Sequence, residues 1–98
     1  MSYYANRAER LKLTAGLLAL AEFIKENEEV PAPKHIDVMV FPHEIDDDAR
    51  RCEVGRIAAL IGVTTQTSAA SHYVASRMFG PIEYRAIAIP ASPQEAQE

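Results

Sequence analysis

The chain reads as a small α+β protein: two helices packed on a sheet of at least three strands, in the order α-β-α-β-β, ending in an antiparallel hairpin. Three observations predict this class. Leu13, Leu17, Leu20, Ala21 and Ile24 recur at the three- and four-residue spacing of a helix face. The stretches "HIDVMVFP" (35–42), "YVASRMF" (73–79) and "IEYRAIAI" (82–89) alternate as strands do. Gly80-Pro81, between the last two, is a strong turn signal.

The first helix is expected from Ala8 to about Glu28, with Leu11, Leu18 and Phe23 broadening the apolar stripe and Gly16 weakening it by about 1 kcal/mol relative to alanine. "VPAP" at 30–33 forbids its continuation, because proline lacks the amide donor and the residue before it avoids the helical region. A strand follows from Ile36 to about Phe41, apolar on both faces and ended by Pro42. The second helix starts at a cap supplied by Asp46 or Asp47, keeps further acids in its first turn where they complement the helix dipole, and stops at Gly62. Val54, Ile57, Ala58, Leu60 and Ile61 form its apolar face. Residues 64–71, "TTQTSAAS", lack any large apolar side chain and are read as a loop, although threonines suit a strand. Tyr73–Phe79 and Ile82–Ile89 are the two strands of the hairpin, residues 1–90 are expected to form a single domain, and the acidic tail 91–98 is expected to be disordered.

A two-residue turn at Gly80-Pro81 fixes the hairpin register: Phe79 opposite Ile82, Arg77 opposite Tyr84, Ala75 opposite Ala86 and Tyr73 opposite Ala88. One face then carries these eight residues, and the other carries His72, Val74, Ser76, Met78, Glu83, Arg85, Ile87 and Ile89. Neither face is plainly polar, whereas a sheet with helices on one side should show water a hydrophilic second face. Either the helices cover both faces, or another chain covers one. Tyr and Arg are favoured interface anchors, so Tyr73, Arg77, Phe79 and Tyr84 are the candidate partner-binding residues, for a second copy in a homodimer or for another protein.

Composition narrows the alternatives. The 98 residues include 10 basic and 14 acidic side chains, a net charge of −4 that opposes non-specific attraction to phosphate. Nucleic-acid binding is therefore the alternative reading, resting on the basic N-terminal residues Arg7, Arg10 and Lys12 with the hairpin aromatics as stacking platforms. The single Cys52 forms no internal disulfide, which suits a reducing cytoplasm, and "AGLLALAEFI" is too short to cross a bilayer. His35, His43 and His72, with Cys52 and the acids Glu44, Asp46, Asp47 and Asp48, supply metal-ligand types at no established spacing. With no nucleophile motif and no glycine-rich phosphate loop either, the expectation is a protein with no enzyme activity, no metal and no cofactor.

"ARRCEVGRIAALIGV" followed by "HYVASRMFGPIEYRAIAIP", with "AGLLALAEFIKENEEVPAP" leading in, resembles a family of short uncharacterised proteins of actinobacteria and their bacteriophages. The resemblance runs over about residues 14 to 90 and departs at "TTQTSAAS". It implies a cytoplasmic protein, or one made in the infected host, that acts by binding another protein, and it carries no catalytic residue over.

Overall fold

A computed structural model describes residues 4–44, 46–68 and 71–90. The chain divides into two compact units, Met1–Lys34 and His35–Glu98. The expected tail 91–98 lies outside the described residues.

The first unit contains one helix, α1, Arg7–Glu26. Its start is a capping box: the Asn6 side chain accepts the Glu9 amide at 2.8 Å, and the Glu9 carboxylate accepts the Asn6 amide at 2.9 Å. It ends two residues before the expected Glu28, because Asn27 closes it. Both the backbone and the side-chain amide of Asn27 donate to the Phe23 carbonyl, at 3.0 and 2.8 Å, satisfying one of the acceptors that a helix end leaves free.

The second unit holds β1 (Ile36–Val40), α2 (Asp47–Ile61), β2 (Gln66–Thr67), β3 (Tyr73–Phe79) and β4 (Ile82–Ala88). The class is α+β, with the helices, the main strands and the hairpin in the expected order. One element is added. Gln66 and Thr67, within the stretch expected as a loop, pair antiparallel with Val74 and Tyr73. Their pairing is supported beyond the strand by Ser68, whose amide donates to the His72 carbonyl at 2.8 Å. The absence of large apolar residues argued for a loop, but an edge strand needs only backbone partners on one side.

The four strands lie in the order β1-β4-β3-β2, with β1 parallel to β4 and the other pairs antiparallel. The hairpin has the register the turn dictates, from Phe79 opposite Ile82 to Tyr73 opposite Ala88. Gly80 makes this possible: its φ of +61° lies in the left-handed region that a side chain disfavours.

Helix α2 starts at Asp46, whose carboxylate accepts the Ala49 amide at 2.7 Å, and stops at Gly62 with φ +77°. It packs over β3 and β4. Val54 and Ala58 on the helix and Ala75 and Ala88 on the strands form one buried cluster, with Ile61, Val63 and Tyr73 packed against it. Small residues on both sides bring the helix close to the strands. Among the described residues, no side chain larger than valine is fully buried, so this core is thin.

Candidate functional site

Pairing places residues that face each other across strands on the same side of the sheet. The α2 side therefore carries four rows: Ile36, Ile82 and Phe79; Val38, Tyr84 and Arg77; Val40, Ala86 and Ala75; then Ala88, Tyr73 and Thr67. The helix covers the last two rows, where Ala75, Ala86 and Ala88 are buried. The first two rows lie beyond it. Phe79 is 53% exposed there, and Ile82 and Val38 are exposed beside it.

The four residues expected to bind a partner thus divide into two settings. Tyr73 belongs to the edge of the core: its hydroxyl accepts a hydrogen bond from Thr65 at 2.7 Å, and the Arg51 guanidinium lies 5.7 Å from its ring. Arg77, Phe79 and Tyr84 share the open end. The Arg77 guanidinium sits 4.8 Å over the Phe79 ring and donates to the Ile61 carbonyl at 3.4 Å. Ile61 is the last residue of α2, which has no basic residue in its final turn, so Arg77 supplies from the sheet the cation that the helix C-terminus favours. Both contacts hold an exposed guanidinium in place, which lowers the entropy lost when a partner meets it.

The opposite side of the sheet is organised differently. Glu83 and Arg85, two apart on β4, are joined by Asp37 on β1 and Ser76 on β3. Arg85 donates to Glu83 at 2.9 Å and lies 3.8 Å from Asp37; Ser76 donates to Glu83 at 2.5 Å. The Ser76 hydrogen bond, and after it the Arg85 pairing, hold the Glu83 carboxyl below the usual carboxylate value; the same pairing raises Arg85. His35 adds its ring at 2.7 Å from Asp37 and 3.7 Å from Glu83. This face has a polar centre after all, in which Arg85 pairs with Glu83 and stands near Asp37. A groove of about 470 Å³ runs beside it, lined by Gln66, Thr67, Ser76, Glu83 and Arg85 among others.

His35, Asp37 and Glu83 bring three potential metal-ligand atoms within 4.8 Å of one another. The Arg85 guanidinium bonds to one of the two carboxylates and stands 3.8 Å from the other, so both carboxylates already have a cation beside them. The arrangement is an ion-pair network. Sequence reasoning missed it because it needs the parallel pairing of β1 with β4; the signal present was the spacing of His35 with Asp37 and of Glu83 with Arg85, each pair on one strand face.

Arg7, Arg10 and Lys12 are exposed on α1. Arg7 and Arg10, three apart, share a side of the helix, while the 100° turn per residue puts Lys12 on another. They do not form one basic patch. Cys52 is free and exposed on α2. No helix among the described residues is long and apolar enough to cross a membrane. No family model, no curated protein and no solved structure matches the chain.

Proposed function

We propose that this chain is a non-enzymatic protein-interaction module that docks a protein partner on the open end of its sheet, through Arg77, Phe79, Ile82 and Tyr84 with Val38 alongside. One observation carries the reading: on a single sheet face, the alanines Ala75, Ala86 and Ala88 are buried under α2, while Phe79 at 53% exposure stays open with Ile82, Val38 and Arg77 around a half-buried Tyr84. Contiguous exposed apolar surface beside an anchored arginine and a tyrosine has the composition of a binding hot spot.

The face, rather than the edge of the sheet, is the docking surface. Strand β1 is terminal, and the Ile36 amide donates to the Pro81 carbonyl at 3.2 Å, so Asp37 and Met39 direct their backbone groups outward. That edge is only five residues long, carries the Asp37 charge at 41% exposure, and is followed by Pro42, features that discourage strand addition. The cytoplasm of an actinobacterium, or of one infected by a phage, is the setting that the resemblance of the hairpin wording supports.

Phe79 and its neighbour Met78 point to opposite faces and are about equally exposed, which makes the test symmetrical. A partner captured from bacterial lysate and identified should lose at least about tenfold in affinity with Phe79→Gln and less than about threefold with Met78→Gln. Equal losses from the two substitutions, or no protein retained above an inert control, would remove the proposal.

A further inference from the structure

Helix α1 has caps at both ends, yet none of its residues is buried. A single helix of 20 residues is marginal in water without packing of its apolar face. Leu13, Leu17 and Leu20 are 55%, 51% and 48% exposed, and with Ile24 they follow the 4-3-4 spacing of a coiled-coil seam. We propose that this seam is covered by the α1 helix of a second copy of the chain, running antiparallel, so that α1 is the dimerisation element and the sheet end stays free for the partner proposed above.

Three observations select this occupant. The first is charge. Residues 7–16 hold Arg7, Arg10 and Lys12 against Glu9, whereas residues 17–29 hold Glu22, Glu26, Glu28 and Glu29 against Lys25. Two such segments repel when parallel and attract when antiparallel, and antiparallel dipoles add to the preference. With Leu17 level with Leu20 of the second copy, Ile24 meets Leu13, Arg10 meets Asn27, and Arg7 flanks Glu28. The second is backbone access. Thr14, Gly16 and Ala21 flank the seam, and among the described residues a methyl group placed on Gly16 would meet nothing within 4 Å. Small flanking residues let a second helix approach closely. The third is area: Leu13, Leu17 and Leu20 losing about 90 Å² each and the half-buried Ile24 less, with their flanks, bury on the order of 1,000 Å² over two copies, about the minimum a specific interface needs.

Light scattering behind a sizing column, over about a hundredfold range of concentration, reads the result. The wild-type chain should approach twice the 10.8 kDa of one copy as concentration rises, and the double substitution Leu17→Asp with Leu20→Asp should stay at 10.8 kDa throughout, while Phe79→Gln should dimerise like the wild type. A wild-type monomer at every concentration would overturn the proposal, because the seam would then be covered by its own chain or by nothing. A dimer that survives the Leu17/Leu20 substitutions and is lost with Phe79→Gln would move self-association to the hairpin, and would equally overturn it. A second measurement leaves the seam intact. In chains carrying Cys52→Ser, Arg10→Cys and Asn27→Cys should form an intermolecular disulfide only when the two proteins are mixed, since antiparallel pairing holds two copies of residue 10 roughly 25 Å apart. Efficient linking of either protein to itself, or none in the mixture, contradicts the antiparallel arrangement.

Discussion

Val54→Ala tests the packing that decides which half of the sheet face is open. Val54 is fully buried, in the cluster with Ala58, Ala75 and Ala88 that seats α2 on β3 and β4. The substitution removes two carbon groups, a transfer loss of roughly 1.6 kcal/mol, and the cavity left behind adds about 1 kcal/mol, for a total of about 2.5 kcal/mol. Natural domains hold roughly 0.05–0.15 kcal/mol per residue, so for a unit of this size the loss approaches half of the stability. Urea unfolding followed by circular dichroism measures it. With a slope of about 1 kcal/mol/M, the midpoint should fall by roughly 2.5 M, whereas Leu60→Ala, on the exposed side of the same helix, should move it by less than about 0.5 M. Equal shifts for Val54→Ala and Leu60→Ala would mean that α2 does not rest on the sheet through Val54, and the division of the face into sealed and open halves would fall with it.

Two further predictions concern the second unit. Glu83 is held below the usual carboxylate value in the folded chain, so the stability it adds is full above its unfolded value and is lost as the pH falls through the lowered folded one. The wild type should therefore lose more stability than Glu83→Gln between neutral and acid pH; identical acid limbs would show that the Ser76 and Arg85 contacts contribute nothing in solution. Gly62→Ala meets no steric clash but keeps φ at +77°, so it should lower the unfolding free energy by about 1 kcal/mol, and a neutral result would mean that the helix ends in another conformation.

The hairpin was legible in the sequence down to individual pairs, because a two-residue turn leaves one register and a period of two then assigns every side chain to a face. Both helices were legible as well, from apolar spacing and from caps, although Asn27 shortened the first by local hydrogen bonds that periodicity does not encode. Strand order was not legible. The pairing of β1 with β4 is parallel and joins residues 46 positions apart, and nothing local in "HIDVMV" names its neighbour. For that reason Glu83 and Arg85 read as scattered charges on a mostly apolar face, when Asp37, Ser76 and His35 close them into a network. The candidate surface was legible in composition but not in extent: α2 draws Tyr73 into the core edge, touches Arg77 only through its last carbonyl, and leaves Phe79 exposed beyond it, a boundary set by where alanines allow the helix to sit.

The most direct test is the light-scattering mass of the chain mixed with its identified partner, for the wild type, for Leu17→Asp with Leu20→Asp, and for Phe79→Gln. Two separate surfaces predict a complex of two copies with two partners for the wild type, one copy with one partner for the Leu17/Leu20 variant, and a dimer with its partner largely lost for Phe79→Gln. A Phe79→Gln complex as heavy and as stable as that of the wild type would contradict the assignment of the open sheet end as the docking surface.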